Sequence, residues 1–198
     1  MPAPGYQEAL RVARALLSQK DPQEVAAFTG ASWKTGASRF VLAFLGKQYD
    51  ITYPGGEVWH GQSPVPDTDA ILVLHYLTHA TGAVLRQELI AFRQLPGGEI
   101  YLDPFRKRTI ALLMRFFGGD PGRLVRAALA LGGSHDGQYR VTVDALPRVP
   151  VTLVLWPGDD EVSADGNVLY NASAPLYLPT EDLIVLATST ILALNQAA

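Results

Sequence analysis

The sequence predicts an α+β fold over residues 1–198: a single domain with an antiparallel or mixed sheet, hairpins and several packed helices. The chain has 198 residues, a length at which one hydrophobic core normally suffices. Apolar residues make up 48% of it, so that core can form without disulfides or metals. Helical and strand-like segments come in blocks, whereas a parallel sheet requires them to alternate.

Short local signals mark four amphipathic or capped helices. Residues 6–18 repeat their apolar side chains at the helical period. An Asp-Pro pair, which supplies an N-cap and a first-turn proline, begins at Asp21, Asp103 and Asp120. The pairs predict helices over residues 22–29 (ended by Gly30), about 104–117 and about 121–131.

Two Pro-Gly-Gly turns, at 54–56 and 96–98, predict two hairpins. The first turn lies within an antiparallel meander, and the second joins a further pair of strands. Turn chemistry alone selects this tripeptide, so convergence explains the repeat better than an internal duplication. The predicted strands are 39–45, 48–53 and 57–60 around the first turn, and 88–94 and 99–102 around the second.

Two further helices are apolar on every side. They cover residues 67–81 and the segment that begins at Thr180. A helix of this kind belongs in the interior, so the C-terminal helix is either a central core helix or a dimer face. The remaining strands are predicted at 138–143, 149–156, 162 and 168–170.

Charge and cysteine content exclude several functional classes. The net charge is −3 and cysteine is absent, which argues against nucleic-acid binding, a disulfide framework and thiolate metal sites. Met1 to Gly5 lack the basic and apolar regions of a secretory signal, and no apolar stretch is long enough to cross a membrane. We therefore expect a cytoplasmic protein without a membrane partner. Only 18% of residues are charged, which favours association into a homo-oligomer.

Three consecutive cations form the first candidate site. Arg106, Lys107 and Arg108 fall in the first turns of the helix predicted after Asp103, where the helix dipole is already positive. Cations placed there would suit a phosphate or carboxylate, with Arg93 and Trp156 as further ligand-binding residues. The alternative is that neighbouring acids neutralise the cluster.

Acids and histidines form the other candidates. Asp159, Asp160 and Glu161 follow a strand and a Pro-Gly turn, where carboxylates can serve acid–base catalysis or bind a cation. A solvated acidic turn is the alternative. His75 and His79 lie four residues apart on a predicted helix, which is the spacing of two metal ligands. The alternative is a pair of partly buried histidines.

Several short motifs occur in an order that identifies a family. They are Phe44-Leu45-Gly46, Leu74-His75-Tyr76-Leu77, residues 92–98, Leu131-Gly132-Gly133, and residues 146–150, 155–161 and 178–182. Together they resemble the family known as domain of unknown function 3786, found mainly in anaerobic bacteria and archaea. The similarity extends from about Tyr6 to the end of the chain.

The resemblance implies a metabolic setting. Some relatives look like fusions to a cysteine-rich iron-sulfur segment, which implies anaerobic redox or corrinoid-linked metabolism. This chain has no cysteine, so a cluster would belong to a redox or iron-sulfur/corrinoid protein partner.

Two functional hypotheses follow. The first is an accessory binding module that holds a small anionic ligand or cofactor at the basic residues. The alternative is a metal-assisted or carboxylate-based hydrolase or transferase that uses the acidic turn, with His75 or His79 as base.

Overall fold

Two five-stranded sheets and seven α-helices make up the part of the chain that the computed structural model describes, residues 4–159 and 161–198. The helices are α1 (Pro4–Leu17), α2 (Pro22–Thr29), α3 (Asp67–His79), α4 (Leu102–Arg108), α5 (Ile110–Phe117), α6 (Pro121–Ala130) and α7 (Thr180–Ala197). The strands are β1 (Ser32–Lys34), β2 (Arg39–Phe44), β3 (Lys47–Thr52), β4 (Val58–His60), β5 (Ser63–Pro64), β6 (Leu89–Ala91), β7 (Ser134–Asp136), β8 (Arg140–Leu146), β9 (Val149–Trp156) and β10 (Asp165–Asn171).

The first sheet contains the predicted meander as β2, β3 and β4, and β1 and β5, which were not predicted, add one strand at each edge. Its strands lie in the order β1-β2-β3-β4-β5, and every neighbouring pair is antiparallel. Alternate residues of β2 are buried, namely Phe40, Leu42 and Phe44. This period of two fixes the register, because a shift of one residue would turn the apolar side chains toward solvent.

The second sheet has the order β6-β10-β9-β8-β7 and is also antiparallel. The predicted hairpin of 88–94 with 99–102 is wrong. Only β6 forms, and it pairs with β10, from the far end of the chain. Residues 92–94 turn as a 3₁₀ helix, because Phe92 packs against Phe105 of α4 with the two rings 4.1 Å apart and stacked.

The helix predicted over about 104–117 is two helices. The first, α4, begins at Leu102 without a side-chain cap, so Asp103 is not its N-cap. Thr109 separates α4 from α5, and its hydroxyl donates to the carbonyl of Phe105 at 2.7 Å. Threonine that bonds back to the carbonyl four residues earlier bends a helix. The basic residues 106–108 therefore end a seven-residue helix, where cations interact favourably with its dipole.

The other Asp-Pro pairs behave as predicted. The carboxylate of Asp21 accepts hydrogen bonds from the amides of Gln23 and Glu24 at 2.8 and 2.9 Å, and Gly30 ends α2 with φ +75°. Asp120 accepts from the amide of Arg123 at 3.1 Å and begins α6. Each cap satisfies amides that the helix leaves unbonded.

Both apolar helices lie in the interior, as their composition predicts. The inward residues of α7 are fully buried, and this helix packs on α3, α5, α6 and β8. It is a central core helix. The two sheets meet where the amide of Leu45 donates to the carbonyl of Ala145 at 3.0 Å, and one hydrophobic cluster includes residues of both. Within the described ranges, no helix combines the length and the apolar character that crossing a bilayer would require.

Candidate functional site

The acidic turn is closed by hydrogen bonds from its backbone amides to the side chain of Asp159. One carboxylate oxygen of Asp159 accepts hydrogen bonds from the amides of Glu161 and Val162 at 2.9 and 2.8 Å. These bonds hold the pKa of Asp159 below its usual range, so the group is ionised at neutral pH and shapes the turn. Val162, predicted as strand, belongs to this turn, and Asp160 lies outside the described residues.

The two histidines have protein partners. Nδ1 of His75 lies 2.6 Å from a carboxylate oxygen of Asp182 at the start of α7. Nδ1 of His79 lies 2.9 Å from the carbonyl of His75, and since a carbonyl only accepts, that nitrogen carries the proton. In residues 4–159 and 161–198, no three His, Cys, Asp or Glu side chains converge to hold a metal ion. Among the described residues, His75 and His79 therefore have no third side chain of these types with which to hold a metal ion.

Two of the predicted basic residues and the predicted tryptophan line one cleft. Arg93 follows β6, Arg106 lies on α4, and Trp156 ends β9. We call this the arginine cleft. Its volume is about 210 Å³, and the stacked, buried rings of Phe92 and Phe105 also line it.

Among the described residues, the acid that lines the arginine cleft is Asp165. Asp165 is the cross-strand neighbour of Trp156, because β10 pairs with β9 in that register. The indole of Trp156 is 52% exposed. A flat exposed ring beside two guanidinium groups can stack on a planar ligand, and the acid can accept a hydrogen bond from it.

The other two cations do not line the arginine cleft. Lys107 lines a shallow, open depression with Arg106, Ile110 and Ala111, and it is not among the residues of the arginine cleft. Arg108 lines a separate cleft of about 470 Å³ between α1, α3, α4 and α7, together with Glu181 and Asp182. Consecutive helical residues point about 100° apart, so the three cations are spread around α4 and only Arg106 of them lines the arginine cleft. Of the four predicted cations, Arg93 and Arg106 are the two that line the arginine cleft.

The family model of domain of unknown function 3786 (DUF3786) matches residues 21–193. The chain belongs to the DUF3786 family. The resemblance predicted from the motifs is thus confirmed, and every residue of the arginine cleft lies within the matched region. Neither the search of curated proteins nor the search of solved structures finds a match.

A further cleft of this DUF3786 protein, separate from the arginine cleft and the Arg108 cleft, contains polar residues that the sequence analysis did not connect. It lies between the first sheet, the start of α3 and the second half of α7, and its volume is about 430 Å³. We call it the tyrosine cleft. The hydroxyl of Tyr49 donates to the carboxylate of Asp69 at 3.1 Å, and Lys47 and His60 also line the cleft.

Part of the tyrosine cleft could have been predicted from the sequence. Lys47 and Tyr49 are two residues apart on β3 and so share a face of the strand. The register Asp50 with Trp59 places His60 directly across from Tyr49, with the ring centres 5.6 Å apart. Asp69 reaches the cleft from another element, α3, and no local pattern signals that approach.

Proposed function

We propose that this DUF3786 protein is an accessory binding module that holds a small anionic ligand in the arginine cleft. The observation that carries the proposal is the convergence of Arg93, Arg106 and Trp156 from three separate elements. Guanidinium groups bind carboxylates and phosphates in two-point geometry. No acid is paired with either arginine within the described segments, so both are free to take a ligand.

The shape of the cleft narrows the ligand class. About 210 Å³ lies below the usual range for drug-sized ligands, which favours a compact molecule. The exposed indole of Trp156 favours a planar one. A small planar carboxylate, or a planar group that carries a phosphate, fits these features. The anaerobic redox or corrinoid-linked setting of the proposal comes from the family resemblance.

The enzyme alternative has less support. Asp159 uses a carboxylate oxygen to form its turn, and His75 is paired with Asp182. Neither His75 nor His79 lines the arginine cleft, the tyrosine cleft or the Arg108 cleft. The same is true of Asp159 and Glu161. A hydrolase or transferase would need these groups within reach of one substrate.

Benzoate and its neutral analogue benzamide test the binding proposal. We expect benzoate to bind and to shift the indole and guanidinium signals of Trp156, Arg93 and Arg106 in NMR titrations. Benzamide should bind at least about tenfold more weakly, because it lacks the charge that strengthens these hydrogen bonds. Equal affinities for the two compounds would refute an anion site.

Variants locate the site. Arg93→Ala and Arg106→Ala should each weaken benzoate binding by about 10- to 100-fold, the usual loss for one charge-assisted hydrogen bond. Lys107→Ala is the matched control, because it removes the same charge from the same helix and Lys107 does not line the arginine cleft. If Lys107→Ala weakens binding as much as Arg106→Ala, the effect is long-range charge and the cleft is not the site.

A further inference from the structure

The tyrosine cleft combines an apolar wall with a small set of polar groups. Val65, from the loop before α3, and Leu192 and Ala193 of α7 supply apolar surface, over the buried ring of Phe44. Its volume of about 430 Å³ lies in the usual range for small-molecule sites. The exposed fraction of Leu192 is 42%, so the wall opens to solvent and a ligand can enter.

The hydrogen bonds of Tyr49 and His60 determine which groups face a ligand. Tyr49 donates to one oxygen of Asp69, which leaves the second oxygen of that carboxylate as an acceptor. Nδ1 of His60 lies 2.9 Å from the carbonyl of Gln48. Because the carbonyl can only accept, Nδ1 carries the proton, and in the neutral ring Nε2 is a second acceptor.

One cation balances these two acceptors. Lys47 acts on Asp69 through its charge, and burial still raises the pKa of the Asp69 carboxyl. The described ion pairs do not include Lys47 with Asp69. Both side chains line the cleft, so the ammonium group and the carboxylate are two separate charged groups that a ligand can contact.

We propose that the tyrosine cleft is a second ligand site, for a small hydroxycarboxylic acid with an apolar body. The ligand carboxylate binds the ammonium group of Lys47, and its hydroxyl donates to the free oxygen of Asp69. The apolar body lies against Val65, Leu192 and Ala193. This site is independent of the arginine cleft, because the two clefts share no lining residue.

Three related compounds test the two-point recognition. Mandelate carries the phenyl body, the carboxylate and the hydroxyl; phenylacetate lacks the hydroxyl, and benzyl alcohol lacks the carboxylate. The titrations use the Arg93→Ala/Arg106→Ala double variant, so that the arginine cleft does not contribute. We expect mandelate to bind about tenfold more tightly than either analogue, and to shift the amide signals of Tyr49 and His60.

Two variants assign the two contacts. Lys47→Met should remove the preference for mandelate over benzyl alcohol, because it keeps the aliphatic stem and loses the charge. Asp69→Asn should remove the preference for mandelate over phenylacetate, while its amide oxygen still accepts from Tyr49. Lys34→Met is the control, since Lys34 is an exposed residue of the same sheet with the same charge.

The result can overturn the proposal in three ways. They are the absence of saturable mandelate shifts at Tyr49 and His60, equal binding of all three compounds, and equal mandelate binding by Lys47→Met and Lys34→Met. Each of these outcomes would exclude a hydroxycarboxylate site here. Because the arginine cleft is disabled throughout, they leave the proposed function untouched.

Discussion

The tetrapeptide Pro-Gly-Gly-Glu occurs at 54–57 and again at 96–99, and the two copies fold differently. The first joins β3 to β4, and the amide of Thr52 donates to the carbonyl of Glu57 at 3.0 Å to close the hairpin. The second winds through successive four-residue turns, each closed by a bond from the amide of residue i+3 to the carbonyl of residue i, from Phe92 to Leu102, and enters α4. The glycine with positive φ also differs: it is Gly56 in the first copy and Gly97 in the second, both at +69°. Turn residues therefore select a turn, while the partners of the flanking segments decide whether it becomes a hairpin.

The difference shapes both clefts. The first turn brings β4 back along β3, which sets His60 across from Tyr49. The second turn brings α4 against the residues that follow β6, which sets Arg106 near Arg93. A hairpin at the second position would have paired residues 99–102 with β6 and left no arginine cleft.

The largest effect is expected at the second glycine of the second turn. A Cβ atom at Gly98 would overlap the carbonyl oxygen of Phe92, which is fixed backbone. We expect Gly98→Ala to lower the free energy of unfolding by about 3 kcal/mol or more, as overpacking at a rigid position does. Gly97→Ala should cost only about 1 kcal/mol, since its Cβ meets no atom within 4 Å and only the positive φ is unfavourable.

Urea denaturation of the two alanine variants measures this difference. Equal costs for Gly97→Ala and Gly98→Ala would mean that the second turn is not folded back on Phe92. In that case the two Pro-Gly-Gly turns would be alike, and the comparison between them would fail.

The second-largest effect is expected at Asn171, the residue of β10 that holds Arg86 and so attaches the segment before the second turn. Asn171 donates from its amide nitrogen to the carbonyl of Arg86 at 2.6 Å, and its amide oxygen accepts from the amides of Arg86 and Ser173 at 3.0 and 3.1 Å. Asn171→Asp replaces the donor with a buried negative oxygen that faces a carbonyl. We expect a loss of about 2 kcal/mol at pH 7, reduced at pH 4 because a protonated carboxyl regains a donor.

Asn195→Asp is the matched control for this substitution. The amide oxygen of Asn195 accepts from the guanidinium of Arg123 at 3.0 Å, so a carboxylate there keeps its partner and gains charge attraction. Chemical denaturation at pH 7 and pH 4 compares the two variants. If Asn171→Asp is as stable as Asn195→Asp at pH 7, the side chain of Asn171 does not hold the segment to β10.

Local signals were sufficient for most of the fold. Caps at Asp21 and Asp120, the alternation in β2, and the apolar character of α3 and α7 all predicted the observed elements. The errors lie where distant contacts override local preference. The strand pairing of β6 with β10 joins residues about 80 positions apart, and the stacking of Phe92 on Phe105 turns the intervening chain into a helix entry.

The candidate sites follow the same rule. Side-chain chemistry was enough to nominate Arg93, Arg106 and Trp156, but three elements had to fold before they shared a cleft. Lys107 and Arg108 were nominated with them because the three cations are adjacent in sequence. Adjacent residues of a helix point in different directions, and neither residue lines the arginine cleft. The pair of Tyr49 and Asp69 was missed, since its members lie on a strand and a helix that no motif connects.

The smallest effect compares the glutamates of the two turns. The hydroxyl of Thr52 donates to the carboxylate of Glu57, and this bond lowers the pKa of Glu57. A carboxyl whose pKa is lowered on folding stabilises the protein above its unfolded pKa of about 4.3, and the stabilisation is lost as the pH falls through the folded value. Since Glu57 is exposed, we expect Glu57→Gln to cost no more than about 0.5 kcal/mol at pH 7 and nothing near pH 3.

Glu99→Gln, in the second turn, should leave stability unchanged at both values, because the described contacts include no hydrogen bond to that exposed carboxylate. Thermal denaturation of both variants across this pH range gives the comparison; a pH-dependent loss in Glu99→Gln equal to that in Glu57→Gln would mean that both turns hold their glutamate in the same way.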